Sequence, residues 1–575
     1  MPVHNADIAE IFKRVADLLE IQGANPFRVR AYRNAARIVG GMSKSVTDMA
    51  GGDGKGLSQL PGIGKDLAEK IREIAERGRL SQLDDLEQAL PPALHAVLKI
   101  PGLGPKKVKV LYEKLNIESV DDLKNAAERR KIQNLPGFGD KTEQHILEEI
   151  ERQTGEPERL RIDLIEPIAE SLVTHLNKGK GIKEIAVAGS FRRRTETVGD
   201  LDILVTCKKG TNEEIMNRFV DYEDVDQVTS RGKTRTSVIL KSGLHVDLRV
   251  VPHVSYGAAL HYFTGSKAHN IAVRMMGVRR GLKISEYGVF KNGEWLAGKT
   301  EKEVFEQIDL TYIEPELRED RGELQAAQKK SLPNLLILDD IRGDLHSHTI
   351  ETDGRFSIEK MVEAARKRGY EYLAISNHSQ HLTVAKGLDR KRLAKQIEQI
   401  DHLNEKVEGF RILKAIEVDI LEDGSLDLPD SILRELDLVV CSVHFQFMLS
   451  RQKQTERIIR AMDHPSCHIL GHPTGRLINR RAPYDLDMER VMKAARERGC
   501  FMELNAQPER LDLDDIYCRM AKEIGVKVAI STDAHSIDGL DHMRFGVGQA
   551  RRGWLEPKDV LNTRHWKELK KMLER

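Results

Sequence analysis

The stretch GSFRRRTETVGDLDILV, Gly189 to Val205, decides how the chain has to be read. Asp200 and Asp202 stand two apart at the head of a strand-like run, so both carboxylates point to one face of it. Two like charges held there repel unless cations neutralise them. Oxygen donors that leave coordination positions open suit magnesium shared with a phosphate-bearing substrate. Asp247, in the alternating run HVDLRVV, supplies a third carboxylate, with which two metal ions can clamp the attacking and leaving oxygens of an in-line displacement. Ser190 and Arg193, on the turn after AVAG, are placed to meet a triphosphate through hydroxyl, backbone amide and guanidinium. One Asp alone reads as a surface acid facing water. GS, an arginine run, GDLD and a later strand Asp, in this order, argue against that.

Around this segment, from Gly155 to about Tyr312, strand-like runs such as IKEIAVAGS and TSVILK alternate with helical stretches, which reads as an α+β unit. Upstream, from Asp7 to about Glu151, the pattern is helical and punctuated by LPGIGKD at Leu60, IPGLGPK at Ile100 and LPGFGDK at Leu135. A repeat of this kind marks one supersecondary unit used several times: a helix, a glycine hairpin and a second helix. In each copy two glycines (Gly62 and Gly64, Gly102 and Gly104, Gly137 and Gly139) allow a tight turn with exposed amides, with a lysine close behind (Lys65, Lys106, Lys141). Such a nest holds a phosphate without reading its base. Lys70, on the helix after the first hairpin, reads either as an amine nucleophile, if neighbouring cations lower its pKa, or as a phosphate-contacting or solvated lysine.

Downstream, Pro315 to Asp340 mixes charge with a further proline and reads as a connector, in part helical. Beyond Gly343, buried-looking strands alternate with helical segments, the rhythm of parallel β/α architecture, whose sites lie at the carboxyl ends of the strands. Twelve of the 20 histidines follow Asp340. His346 and His348 form an HxH with both rings on one side, and Asp353 follows. His378 comes after YLAIS, Glu417 lies in KAIEVDI, His444 closes LDLVVCSVH, His472 closes CHILGH, and Asp533 and His535 close VKVAISTDAH. A lone strand histidine is more often a core residue. Nitrogen and oxygen donors at successive strand ends point instead to two or three divalent ions, manganese or zinc given imidazole with carboxylate and no thiolate. Such ions lower the pKa of a bound water and direct it at phosphorus.

The 575 residues suggest three or four domains. With 91 basic and 90 acidic residues the net charge is +1, so contact with a polyanion has to come from locally gathered cations. There is no apolar run of about 18 residues to suggest a membrane span, and the start MPVHNADIAEIFKRV lacks the pattern of a secretory signal. Five cysteines without a CxxC pair fit a reducing compartment and buried apolar roles, so a cytoplasmic location is expected.

Taken together, LPGIGKDLAEKI, IPGLGPKK, GSFRRRTETVGDLDILV, HVDLRVV and HYFTGSKAHN resemble the family X DNA polymerases, the class of DNA polymerase beta, over about residues 5 to 312. DLHSHT, EVD, CSVHF, GHPTG and STDAH resemble the polymerase and histidinol phosphatase (PHP) domain over about residues 341 to 572, and this fusion is the arrangement of the bacterial family X enzymes. The resemblance implies that Asp200 and Asp202 bind both polymerase metals, magnesium or manganese, and that Asp247 is a ligand or the base for the primer 3′ hydroxyl. It implies that Gly189, Ser190, Arg193 and Arg161 hold the triphosphate and that Tyr262, Phe263, Gly265 and Asn270 line the nucleotide pocket. Lys70 falls at the position of the family's deoxyribose-phosphate lyase nucleophile. The carbonyls of Ser58, Leu60 and Ile63, and of Leu98, Ile100 and Leu103, would hold potassium or sodium ions that bridge to DNA phosphates. The pattern departs at His245, which replaces a basic residue, at Lys267, where the beta enzyme has an acid and a lysine would strengthen nucleotide binding, and at Asn377, where the PHP family usually has a supporting Asp.

The expected fold class is multidomain α and α/β: a helical helix-hairpin-helix region, a nucleotidyltransferase-type α+β palm and a distorted β/α barrel. The expected divisions are a lyase-like, DNA-binding helical domain with the first hairpin (1–85), a DNA-binding subdomain with the other two (86–155), the palm (156–253), a nucleotide-selecting subdomain (254–315), a linker (316–340) and the barrel (341–575). The expected activity is gap filling with dNTPs in DNA repair, including base excision repair. The protein would be a monomer on gapped or nicked DNA, with other repair proteins as possible partners, and the barrel a 3′→5′ exonuclease, with abasic-site cleavage or 3′ phosphate removal as further outcomes. The competing readings are a DNA-tethered metallophosphoesterase without polymerase activity and a non-catalytic DNA repair scaffold.

Overall fold

The structure is a computed structural model that describes residues 5–42, 46–50, 57, 60, 62–91, 94–98, 100, 102–151 and 159–574. The chain divides into two compact units, Met1–Arg159 and Leu160–Arg575. Among the described residues no helix is long and apolar enough to cross a membrane.

The first unit is helical. In the helix Asn5–Ile21 the buried Ile8, Phe12, Val15, Ala16 and Leu19 recur at helical spacing and form one apolar stripe. It packs on the helix Pro26–Gly40, where Phe12 meets Tyr32 edge to face at 5.6 Å. The three hairpins are built alike. The amides of Ile63, Leu103 and Phe138 donate back to the carbonyls of Leu60, Ile100 and Leu135 at 3.0, 3.0 and 3.1 Å. The glycines between them, Gly62, Gly102 and Gly137, have φ of 88, 80 and 83°. That is the position of a type II turn that demands positive φ, so glycine is required there. The helices Lys65–Arg77, Pro105–Leu115 and Asp140–Glu151 start directly behind. Ser58 lies outside the described residues, and of Lys141 only the backbone is described.

The second unit opens on a five-stranded sheet of β1 (Ile182–Val187), β2 (Asp200–Cys207), β3 (Val225–Arg231), β4 (Arg235–Leu240) and β5 (His245–Val250) in the order β1-β2-β5-β4-β3. β2 and β5 run parallel and the other neighbours antiparallel. Period two explains its faces: Leu201, Ile203 and Val205 of β2 and Val246, Leu248 and Val250 of β5 enter one core with Leu172 and Phe219 from the covering helices. Asp200, Asp202 and Asp247 are thereby left on the opposite face. A small antiparallel sheet follows, β6 (Leu282–Ser285), β7 (Gly288–Lys291) and β8 (Glu294–Ala297), with the helices Tyr256–Thr264, Lys267–Arg279 and Glu301–Glu306. Buried Glu301 ties this part to the turn after β1: Arg192 grips it with two bonds of 2.8 and 2.7 Å, and fully buried Arg318 with one of 2.6 Å. Burial pushes the Glu301 carboxyl up, but the two guanidiniums outweigh it and hold it down at about 2.

The segment 316–340, expected as a linker, is packed into the body. Leu317, Leu324, Ala327 and Leu335 join the core beneath Phe305, and Leu336 joins the barrel core. The helical spacing of Leu324 and Ala327 was masked in the sequence by the surrounding charges. In the barrel, β9 (Gly343–Asp344), β10 (Tyr372–Ile375), β11 (Arg411–Asp419), β12 (Leu438–Ser442), β13 (Ile469–Leu470), β14 (Phe501–Asn505) and β15 (Val528–Ser531) pair in chain order and all parallel. A parallel bridge between Ser347 and Ala534 brings the first and last together, giving a nearly closed seven-stranded barrel. Palm and barrel share an apolar seam of Ile162, Ile478, Leu511 and Phe545, flanked by Arg476–Glu196 (2.6 Å) and Arg544–Glu166 (2.8 Å).

Candidate active sites

On the palm, the parallel register pairs Asp202 with Asp247 and Asp200 with His245. Asp247 accepts bonds from Ser237 Oγ, from Arg235 Nη2 at 2.8 Å and from Arg249 Nη2 at 3.0 Å, while Arg249 Nε stands 4.0 Å from Asp202. The neutralising cations are thus two arginines that the sequence reading missed, although Arg249 sits only two residues beyond Asp247. They are insufficient for Asp202, whose carboxyl is pushed up to about 6 by burial and then by Asp200, with Asp247 adding to it. A half-buried site with surplus carboxylate charge fits hard divalent cations.

The triphosphate candidates divide. Gly189, at φ 65°, turns the chain so closely over the site that a Cβ would lie 3.4 Å from Asp202 Oδ2. Ser190 Oγ is buried without a hydrogen-bond partner. Arg193 donates to the Thr264 carbonyl at 2.5 Å and to Glu319 at 3.1 Å, beside Gly265. Arg161 is placed differently: its guanidinium is gripped by Asp163 at 3.1 and 3.0 Å and by Glu509 of the barrel at 2.9 Å, so it lies in the palm–barrel seam. Two neighbouring acids, one of them 348 positions away in sequence, outcompete an approach to the pocket. Asn270 Nδ2 donates to the Tyr262 carbonyl at 2.6 Å, and the Phe263 ring lies 4.3 Å from the Arg249 guanidinium, linking this segment to the carboxylates. Lys267 begins its helix exposed.

At the barrel mouth, eight of the nine predicted donors gather into three overlapping groups: His348, Asp353, His378 and His535; His346, His348 and Asp533; and His378, Glu417 and His444. His472 lies outside those groups, with its Nε2 2.9 Å from Glu417 Oε1. Strand ends position all but Asp353, which sits in the loop beyond His348, and two are held in rarely populated backbone, His472 at φ 24° and Asp533 at φ 50°. His346 Nε2 and His348 Nδ1 are buried without a hydrogen-bond partner, and His378 Nδ1 lies 2.7 Å from Glu417 Oε2 and His348 Nε2 3.0 Å from Asp533 Oδ1 without the geometry of a hydrogen bond. Orphaned lone pairs converging on one space are what a cluster of metal ions satisfies. Burial and the neighbouring His535 and His378 push His348 down to about 3, leaving it the neutral imidazole that a metal needs. His378 runs the other way: burial works against its proton, but Glu417 and Asp353 raise it to about 10.

The supporting residues were largely missed. Glu503 takes the other nitrogen of His346 at 2.8 Å and the His472 amide at 2.6 Å, and Asp419 takes His444 Nδ1 at 2.9 Å. Carboxylates behind ligand histidines fix their orientation and tautomer. Asp419 stands two residues beyond Glu417 in EVD, a signal at hand, whereas Glu503 in FMELN carries none. Asn377 is not a donor: its amide binds Thr349 and Thr352 at 2.8 to 2.9 Å and Gln396 at 2.6 Å, bracing the loop that carries Asp353.

In the first unit, Lys70 is mostly buried, bonded to Asp66, with its Nζ 5.8 Å from the Tyr32 ring centre. Burial pushes its amine down, but Asp66 and Tyr32 outweigh that and hold it above the ordinary lysine value. The neighbours are a carboxylate and a phenol, not the cations on which the nucleophile reading was conditional, so this arrangement keeps Lys70 protonated.

Family models match along the chain: a helix-hairpin-helix domain over residues 3–80, a SAM-like helix-hairpin-helix tandem over 94–152, the DNA polymerase beta palm over 160–245, the DNA polymerase beta thumb over 259–319 and the PHP domain over 344–507. The chain is 40% identical to the DNA polymerase/3′-5′ exonuclease PolX of Bacillus subtilis (strain 168) over 577 residues, the full length of both. It belongs to the bacterial family X DNA polymerases. A probable phosphatase of Thermoanaerobacter sp. (strain X514) is 34% identical over 231 residues, 38% of this family X chain and 89% of that protein. DNA polymerase lambda of Rattus norvegicus is 27% identical over 345 residues, 55% of this chain and 56% of that one. This family X polymerase therefore joins a nucleotidyltransferase palm to a PHP barrel in one body.

Proposed function

We propose that this family X polymerase fills short gaps in DNA at the palm and shortens 3′ ends at the barrel. The in-register pairing of Asp202 with Asp247, with Asp200 one pleat away, carries the reading. Asp200, Asp202 and Asp247 would hold two magnesium or manganese ions, and the barrel donors two or three manganese or zinc ions; bound there, such ions neutralise charge at phosphorus and acidify a hydroxyl or water. Ser190 and Arg193 grip the triphosphate of a dNTP, Gly189 lets it approach, and Tyr262, Phe263, Gly265 and Asn270 shape the base pocket. Asp247 takes the proton of the 3′ hydroxyl. The hairpins hold the phosphates of gapped or nicked DNA through Gly62, Gly64, Lys65, Gly102, Gly104, Lys106, Gly137, Gly139 and Lys141, with potassium or sodium at the neighbouring carbonyls. Lys70 serves as a lyase nucleophile only once DNA displaces Asp66. The protein acts as a cytoplasmic monomer.

The barrel's likeness to a probable phosphatase favours one second reading, a phosphatase tethered to DNA. A gel on a one-nucleotide gap carrying a 5′ phosphate, with magnesium or manganese, separates the two. Extension with dNTPs and shortening without them is expected. Asp200→Ala with Asp202→Ala should abolish extension alone, and His346→Ala with His348→Ala shortening alone. A single pair of changes that removed both activities would overturn the two-site reading.

A further inference from the structure

Tyr262, Phe263, Gly265 and Asn270, read as lining the nucleotide pocket, lie where the helix Tyr256–Thr264 gives way to the helix Lys267–Arg279. Several bonds hold this junction. Arg192 donates to Thr264 Oγ1 at 2.7 Å, the Ser266 amide donates to the Arg318 carbonyl at 2.9 Å, and Ser266 Oγ caps the second helix by accepting the His269 amide at 3.3 Å. The side chain of His269 adds one more: its Nδ1 lies 2.8 Å from Glu323 Oε1, and both side chains are fully buried. Glu323 also accepts the amides of Asp320 at 2.8 Å and Arg321 at 2.7 Å, which closes the turn before the helix Glu323–Gln328. Arg321 in turn reaches Asp515 of the barrel at 2.9 Å. The start of the second pocket helix is thereby tied to a turn that the barrel holds.

Stability does not explain this pair. The His269 ring packs edge to face on Phe305 at 5.9 Å, a place that an apolar ring would fill as well, and its Nε2 is buried without a hydrogen-bond partner. Exchanging a buried polar pair for apolar groups of similar shape is often neutral or stabilising. Burial, reinforced by Arg318, presses the His269 imidazole well below its ordinary range, so the ring is neutral. Glu323 is an acceptor towards two amides, which places the ring proton on Nδ1. What the pair supplies is direction, a single hydrogen bond that orients the first turn of the helix against Glu323.

We propose that His269, acting through Glu323, is a positioning residue for the incoming nucleotide: their bond sets where Tyr262 and Asn270 stand and so how tightly dNTP is held. Asn270 follows His269 directly, and its Nδ2 donates to the Tyr262 carbonyl at 2.6 Å, so a shift at the start of the helix is passed to both. The proposal rests on the nucleotide-pocket reading of these residues.

Steady-state gap filling by the full chain tests it, with shortening activity and thermal melting measured on the same preparations. His269→Phe keeps a ring and loses the donor, and should raise the KM for dNTP about tenfold with a smaller change in kcat. His269→Asn, which puts an amide donor near the place of Nδ1, should restore most of the affinity. Glu323→Met should raise KM as His269→Phe does, and the two changes together should do no more than either alone, because they break the same bond. Shortening and melting of the His269→Phe chain should match the wild type. An unchanged KM for His269→Phe, a His269→Asn chain equally impaired, or additive effects of the two changes would overturn the positioning role. Loss of melting temperature and shortening together with affinity would overturn it too, by assigning the pair to the stability of the fold. An unchanged KM for Asn270→Ala would instead overturn the pocket reading beneath it.

Discussion

Asp202 stands between two other carboxylates with Arg249 and Arg235 as its counter-charges, and its carboxyl is pushed up to about 6, first by burial. In the unfolded chain an Asp ionises near 3.9, so the folded protein pays for the ionised form. That cost is absent below about pH 4 and grows as the pH rises through about 6. Asp202→Asn should therefore stabilise the protein in chelator at pH 8 by at most about 3 kcal/mol, change little at pH 4, and abolish extension. Urea unfolding at the two pH values checks the sign, and an equal effect at both would refute it. The facing of Asp200, Asp202 and Asp247 was legible in the sequence because it follows from strand alternation. The counter-charges were not, because Arg235 reaches Asp247 across a strand pairing that no local pattern announces.

At the scale of the element, the two glycines of each hairpin have different reasons. The first lies at positive φ and is required by the turn. The second is not: Gly64 and Gly104 have φ of −79 and −76°, open to any residue, and a Cβ at Gly64, Gly104 or Gly139 would meet no protein atom within 4 Å. If the hairpins hold DNA as proposed, the demand for glycine there comes from outside the chain, from close approach of a phosphate to a helix N-terminus. Gly104→Ser should keep stability or raise it slightly, since Ser is a good N-cap, while weakening binding to gapped DNA. Gly102→Ser, at φ 80°, should cost about 1 kcal/mol as well. Thermal melts and salt-dependent anisotropy titrations separate the two effects, and Gly104→Ser with wild-type affinity would remove the hairpin from the interface. The repeat was readable because a type II turn writes Pro-Gly into the sequence. The packed segment 316–340 was not, because its few apolar residues find their cores in two different parts of the body.

Across the whole molecule, palm and barrel are joined by a chain of half-buried charges. Glu319 lies between Arg193 at 3.1 Å and Arg552 of the barrel at 3.0 Å, Arg552 also donates to the Arg193 carbonyl at 2.9 Å and to Asp515 at 2.7 Å, and Asp515 takes Arg321 at 2.9 Å. Arg552 shares the negative charge of Glu319 and so leaves Arg193 less tightly claimed by it. Arg552→Ala should raise the KM for dNTP about tenfold with a smaller change in kcat, and adding Glu319→Gln should reverse most of that rise. Steady-state gap filling measures both, with shortening activity as a check that the barrel is intact. Simple additivity of the two changes would mean that Arg552 acts on stability alone.

The sequence by itself determined the features that repeat within a few residues: the face on which the palm carboxylates lie, the three turns, and the run of histidines and acids at or just beyond successive barrel strand ends. Strand alternation, turn chemistry and the β/α rhythm are local rules, and they need no partner from far along the chain. Only the tertiary structure decided that Arg161 faces the barrel, that Lys70 meets Tyr32, that Glu503 stands behind His346, and that Arg552 reaches Arg193. Each of these joins residues distant in sequence, and the closing of sheet and barrel, rather than any spacing along the chain, determines which of them meet.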